Sequence, residues 1–363
     1  MMIKSIELKN FRNYEDLFIE FTDGTNILFG DNAQGKTNVL ESAYVSGTTK
    51  SHKGSKDKDM IRFQEDESHI RTFVLKHDRE FQIDIHLKKN RSKGIAVNRV
   101  PIKKAGALFG ILNIVFFSPE DLNIIKNGPL QRRRFLDLEL CQLDKIYLSD
   151  LASYNRILNQ RNKLLKDIVF HRELLDTLSV WDMQLIEYGS RIIRRRNSFV
   201  QELSELVFGI HKNISGNREE LLLSYEPDAS ADSFADELAR TREKDLKYCQ
   251  TSRGPHRDDL MFKIGDADIR RFGSQGQQRT SALSLKLSEI ELVRKIIHDT
   301  PVLLLDDVLS ELDSRRQNYL LGSIHDIQTV ITCTGLDEFV KNRFQIDRVF
   351  EVRNGRVERK THT

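Results

Sequence analysis

The 363-residue sequence predicts an α/β fold whose head is assembled from both chain ends, with a helical lobe inserted between them. Three observations predict it. Apolar and polar residues alternate along the first third of the chain, the period of half-buried strands. From about Leu130 to His211 the apolar spacing becomes helical. Strand-like and helical text then alternate toward the C-terminus, as in an α/β layer. The divisions are placed at 1–118, 119–215 and 216–363.

The elements follow in order. Lys4–Lys9 places Ile6 and Leu8 on one face, and Leu17–Phe21 does the same with Leu17, Ile19 and Phe21. Asn26–Phe29 is a shorter, more buried run, and His69–Lys76 and Phe81–Leu87 are further strands. The Gly-, Lys- and Asp-rich text from Gly47 to Asp59 reads as a loop. The helical lobe carries Leu136, Leu140 and Leu143, then Leu151, Ile157, Leu158, Leu164 and Leu165, then Trp181, Leu185, Tyr188 and Ile192. No proline falls between Pro129 and Pro227, so several antiparallel helices are expected. Their heptad phase is too irregular for a long coiled-coil arm. Glu220–Tyr225 and Leu260–Ile264 are strands, Gln277–His298 a helix, and Val302–Leu305, Thr329–Thr332 and Arg348–Val352 strands.

Composition excludes several classes. The 57 Lys and Arg against 54 Asp and Glu leave a net charge of +3, so any basic face must be local. Cys141, Cys249 and Cys333 are few and far apart, which argues for reduced thiols and against a zinc site of ordinary spacing. The charged N-terminal text lacks the apolar core of a signal peptide. No run approaches the ~20 apolar residues of a membrane span. A cytoplasmic location without membrane contact is expected.

Residues 30–37 read Gly30-Asp31-Asn32-Ala33-Gln34-Gly35-Lys36-Thr37, a full GxxxxGK[ST] match. A short strand precedes it and a helix-like run, Asn38–Tyr44, follows, the context the motif requires. The glycines let the backbone approach an anion, and the loop N–H groups cradle it. Lys36 neutralises β- and γ-phosphates, and Thr37 is a Mg²⁺ ligand. The loop as a whole is a nucleotide site, with ATP and Mg²⁺ as cofactors.

The apolar run Val302–Leu305 ends in Asp306 and Asp307, the Walker B pattern. Asp306 would hold Mg²⁺, and Asp307 would orient the attacking water. Lys36 and Asp307 are therefore the candidate catalytic groups. About thirty residues upstream, Ser274 lies between Gly273 and Gly276 before Gln277, at the start of a helix that offers a second anion-binding N-terminus. Ser310-Glu311-Leu312-Asp313 follows the aspartate pair.

This order of motifs resembles the ABC ATPase superfamily, and most closely its chromosome-maintenance branch. The resemblance implies a split ABC-type P-loop ATPase head in which nucleotide is sandwiched between two copies. Ser274, Gly276 and Gln277 of one copy would then reach the nucleotide on the P-loop of the other. The Ser310–Asp313 segment would be the D-loop at that interface.

Further segments resemble the RecF family: Pro119-Glu120-Asp121 with the text from Ile124 through Gly128-Pro129 and Arg132-Arg133-Arg134 to Asp137; Arg253-Gly254-Pro255-His256-Arg257; and the opening Asn10-Phe11-Arg12-Asn13-Tyr14. They span the whole chain. The resemblance implies an ATP-dependent, DNA-binding recombination mediator in repair, replication restart and the DNA-damage (SOS) response. Such proteins form ATP-dependent homodimers, bind duplex and single-/double-strand junctions, and work with RecR and RecO to load recombinase. It also implies a weak DNA-stimulated ATPase acting as a switch, with hydrolysis tied to release. Arg12 becomes a candidate nucleotide contact.

The sequence departs from the wider ABC pattern at three places. Asp307 stands where many of these ATPases have Glu. Thr332 or Thr334 occupies the place of a switch histidine. Gln64 and Gln82 are both candidates for the Q-loop. Arg191, Arg194 and Arg195 share a helix face that can meet phosphates or solvent. His256 reads as a structural or interface group. The alternatives are a transporter ATPase subunit, which would lack such a helical insert, and a small-molecule kinase, which has no use for a signature acting in trans. A structural tether would require a long heptad arm.

Overall fold

A computed structural model describes residues 1–336 and 346–360. The chain divides into two compact units, residues 1–121 with 289–363 and residues 122–288.

The first unit holds two six-stranded sheets. One is antiparallel and starts from the strands Tyr14–Glu20, Met2–Phe11, Glu67–Lys76 and Arg79–Lys88, side by side in that order. Met2–Phe11 alternates as the sequence pattern requires, with Ile6, Leu8 and Phe11 buried. The other sheet runs in the order Arg356–Lys360, Arg348–Arg353, Thr25–Phe29, Thr329–Cys333, Val302–Asp306, Ile114–Phe117. All but its first pair are parallel. Val302–Leu305 and Ile114–Phe117 are buried continuously, as strands covered on both faces must be.

The helix Lys36–Thr48 packs against strands of both sheets. It is buried almost all round, so it shows no polar face. Small residues make this possible. Gly47 lies so close to the edge strand that an added Cβ would sit 2.8 Å from Ile114 Cδ1. The buried Ser46 hydroxyl bonds the Ser42 carbonyl at 2.9 Å and Thr72 Oγ1 at 2.7 Å. The text from Gly47 to Asp59 is thus helical to Thr48, and only its remainder is loop, closed by a short turn at Asp57–Met60.

The second unit contains the helices Pro129–Leu143, Lys145–Ile168 and Leu178–Ser215. Pro129 opens the first, where its missing N–H costs nothing. Asp144 caps the second by accepting from Ile146 N and Tyr147 N. Gly216, left-handed at φ 70°, ends the third.

The unit does not end at residue 215, where sequence reading placed the return to the head. It continues to Ser288. Leu221–Glu226 pairs antiparallel with Asp259–Ile264, so neither strand joins the parallel sheet. Buried ion pairs tie this small sheet to the helices. Arg132 grips Asp259 through Nε at 2.5 Å and Nη2 at 2.9 Å, and Arg196 bonds Asp258 at 2.8 Å. Periodicity carries no trace of such pairings across 62 to 127 residues, so the boundary was invisible in the sequence.

Candidate nucleotide site

The parallel register brings three segments to one edge of the sheet. Phe29 pairs with Cys333, Leu28 with Thr332, and Asp306 with Thr332. The P-loop, the aspartate pair and Thr332 therefore all leave the carboxyl ends of adjacent strands, where open α/β sheets place their ligand sites.

The loop is shaped by its glycines and held by its neighbours. Gly30 has φ 150°, and an added Cβ would meet Val352 O at 2.3 Å. Gly35 has φ 118°, and a Cβ there would lie 2.5 Å from Asn13 Nδ2 and 2.8 Å from Tyr14 Oη. Asn13 Nδ2 donates to Gln34 O at 2.9 Å, and Tyr14 Oη donates to Gly35 O at 3.0 Å. Burial pushes the Tyr14 phenol well above its ordinary value, so it stays a donor. From the C-terminal hairpin, Asn354 N donates to Gln34 Oε1 at 2.6 Å and Gly355 N to Gln34 O at 3.3 Å. Asp31, Asn32 and Ala33 form the exposed crest of the loop, with Ala33 at φ 65°. Lys36 is buried and donates from Nζ to the carbonyls of Gly30 at 2.5 Å and Asp31 at 2.9 Å.

Thr37 Oγ1 donates to Asp306 Oδ1 at 2.9 Å, across 269 residues of sequence. Thr332 Oγ1 donates to the same oxygen at 2.8 Å and accepts from Asp307 N at 3.0 Å. Asp307 is left-handed at φ 53°, an uncommon conformation for a residue with a side chain. Ser310 Oγ donates to its carbonyl at 2.8 Å. Thr332 is 2% exposed and committed to both aspartates, so of the two switch candidates only Thr334 is exposed.

Arg12 clamps Glu41 with Nε at 2.8 Å and Nη2 at 2.7 Å, and also reaches Ser55 Oγ at 2.8 Å and Asp59 O at 2.5 Å. Burial alone would raise the Glu41 carboxyl. Hydrogen bonds from Arg12 and Ser51 outweigh that and hold it below its ordinary value. The structure thus spends Arg12 largely on anchoring the P-loop helix to the strand before Asn13. Neither Q-loop candidate is a clear fit: Gln64 is exposed in a turn, and Gln82 Nε2 donates to Asp84 Oδ2 at 2.7 Å.

Ser274, Gly276 and Gln277 lie in the second compact unit. Ser274 N donates to Gln277 Oε1 at 2.9 Å and Gln277 N to Ser274 Oγ at 3.2 Å, a reciprocal cap on the helix Gln275–Ile297. Gln277 Nε2 also donates to Glu219 Oε1 at 2.9 Å, and Ser274 is exposed.

The arginine clusters serve the second unit itself. Arg196 is buried and bonds Tyr147 Oη, Pro255 O, Asp258 and Asp137. Arg191 pairs with Glu187, Arg194 with Asp232 and Arg195 with Asp144. His256 is structural: it bonds Tyr154 Oη at 2.7 Å and the Thr251 carbonyl at 3.2 Å. Sequence reading missed the Asn13–Tyr14 and Asn354–Gly355 clamps. Asn13 and Tyr14 stand in a quoted motif, whereas nothing local marks Asn354.

A parallel sheet with a P-loop, an aspartate pair at its carboxyl edge and a capped SxGQ helix defines an ABC-type ATPase head. The RecF/RecN/SMC N terminal domain family matches residues 2–358. The chain is 69% identical over 358 residues to the DNA replication and repair protein RecF of Agathobacter rectalis, covering 99% of both chains. It is 61% identical to that of Lachnospira eligens, covering 98% of this chain and 99% of the relative. A solved structure of the recombination mediator protein RecF with ATP, described in the RecFOR pathway, superposes with TM-score 0.93 at 38% identity, covering 99% and 97% of the two chains. The Smc head domain of Pyrococcus furiosus shares the fold at TM-score 0.58 and 17% identity. The chain belongs to the RecF family.

Proposed function

We propose that this chain binds ATP and Mg²⁺ at residues 30–37 and serves as a DNA-binding recombination mediator in repair and replication restart, with slow, DNA-stimulated ATP hydrolysis as its switch. The observation that carries the proposal is the bond from Thr37 to Asp306 at 2.9 Å, which joins the end of the P-loop to the aspartate strand.

A hydroxyl and a carboxylate are hard oxygen donors and suit Mg²⁺. Among the described residues no group of three or more His, Cys, Asp or Glu is placed to hold a metal ion. The remaining ligands of such an ion would be phosphate oxygens and water. Mg²⁺, when bound, neutralises charge developing on the transferred phosphoryl group. Lys36 rests on two loop carbonyls, which it can exchange for phosphate oxygens by small rotations of its stem. Asp306 is fixed by two hydroxyl donors, and Asp307 by the bond from its N–H. Asp307 is the residue proposed to orient water.

Ser274, Gly276 and Gln277 are proposed to complete the site of a second copy in an ATP-dependent homodimer. On the footing of the RecFOR pathway named for the relative, RecO and RecR are the proposed partners. Gapped or junction DNA is the proposed substrate surface. Among the described residues no helix is long and apolar enough to cross a membrane. The test is steady-state ATP turnover as protein concentration is varied, with and without duplex DNA. Specific activity that rises with concentration and with DNA is expected. Activity independent of both, in a protein that sediments as a monomer with ATP, would overturn the reading.

A further inference from the structure

The second unit carries a basic cavity of about 520 Å³, lined in part by Lys244, Tyr248, Ser252, Arg253, Arg257 and Asp228. Arg253 is engaged with Asp228 at 3.0 Å, and Asp228 also accepts from Gly254 N at 2.9 Å, so the one lining carboxylate is already neutralised. Lys244 and Arg257 are exposed and have no carboxylate partner among the described residues. Tyr248 is 64% exposed, with Lys247 Nζ 5.6 Å from its ring centre.

The turn that presents Arg257 is held by buried contacts on both sides of it. Gly254 has φ 127°, and an added Cβ would lie 2.6 Å from Tyr154 Oη. Pro255 O accepts from Arg196 at 2.6 Å, and His256 is bonded on both ring nitrogens. Asp258 is fully buried among Arg196, Tyr225 and Asp228 N. From Thr251 to Asp259 only Arg257 is exposed. A network of buried charges is costly to assemble, and here it fixes a turn that offers a single free cation to solvent.

Free cations beside an exposed aromatic ring match an unpaired nucleotide, whose phosphate takes the charge and whose base stacks on the ring. The geometry points to this cavity as a subsite for a single-stranded nucleic-acid segment, with Arg257 and Lys244 on phosphate and Tyr248 against a base. The inference rests on the reading that the chain binds DNA, and it adds where an unpaired strand is held.

The test measures fluorescence anisotropy of labelled oligo-dT and of a blunt duplex on the full chain with ATP. Tyr248→Ser is expected to weaken oligo-dT binding on the order of tenfold and leave the duplex within twofold. Lys244→Gln with Arg257→Gln is expected to lower the salt slope for oligo-dT by about 1.4, two phosphates at about 0.7 each. Tyr248→Phe, which keeps the ring, is expected to restore affinity. In a Trp181→Phe background, Tyr248→Trp is expected to show fluorescence quenched by oligo-dT, a readout that survives if other variants misfold. Wild-type DNA binding with unchanged affinities and no quenching would overturn the subsite alone. Equal losses on both DNA forms would overturn the stacking, and displacement of oligo-dT by polyglutamate at lower concentration would make it a protein-docking site. A wild type that binds no DNA would overturn the functional reading as well.

Discussion

Thr332→Val removes one hydroxyl and keeps nearly the same shape at a position 2% exposed. That hydroxyl donates to Asp306 Oδ1 at 2.8 Å and accepts from Asp307 N at 3.0 Å. A hydrogen bond to a charged group contributes about 1.5–3 kcal/mol, and an orphaned buried N–H costs about 1–3 kcal/mol. The added methyl offsets about 0.8 kcal/mol. The net expectation is a loss of roughly 2–5 kcal/mol, read by urea unfolding of the nucleotide-free protein. ATP turnover should fall by more than about tenfold, because both aspartates lose the contact that orients them. Thr332→Ser restores the hydroxyl and should recover most of both losses. A valine variant with wild-type unfolding midpoint and wild-type turnover would refute the argument that Thr332 positions the aspartate pair.

Other perturbations give separate expectations. Gly30→Ala meets a backbone carbonyl, Val352 O, at 2.3 Å and a φ of 150°. Strain of roughly 1–3 kcal/mol from conformation alone should appear as lost stability, with ATP affinity measured by titration calorimetry falling as well. Arg196→Met leaves Asp258 buried without its cation and should cost about 3–5 kcal/mol in urea unfolding, partly recovered by adding Asp258→Asn. His256 has its imidazole pushed down to about 4, chiefly by burial. The unfolded chain binds that proton more readily, so His256 costs stability as pH falls from about 6.5 toward about 4. His256→Asn should therefore lose less thermal stability than wild type across that window, and parallel melting curves would refute the assignment.

Much of the first unit was legible because its signals are local. The alternation in Met2–Phe11, the continuous apolar run Val302–Leu305 and the GxxxxGK[ST] text each fix an element or a loop within a few residues. The aspartate pair stood out because the apolar run Val302–Leu305 stops there, downstream of the P-loop and just before Ser310–Asp313. What stayed hidden depends on distant partners. Thr332 gains its role only when parallel pairing sets it beside Asp306. Gln34 is held by Asn354 and Gly355, some 320 residues away. Nothing local marks Arg132 and Arg196 as buried, because the sequence does not show that Asp258 and Asp259 fold back onto them. The same pairings carried the second unit past residue 215 to Ser288.

The central claim is that one chain supplies the P-loop and its copy supplies the signature serine. Mixing two inactive variants tests it directly. Lys36→Ala removes the phosphate-neutralising cation, and Ser274→Arg blocks the helix cap. In a symmetric two-site dimer, each mixed dimer holds one intact site. An equimolar mixture should therefore recover about a quarter of wild-type ATP turnover, because half the dimers are mixed and each has one working site of two. A mixture that stays at the sum of the two inactive variants, while both still bind ATP or dimerise as their intact halves allow, would contradict the shared site.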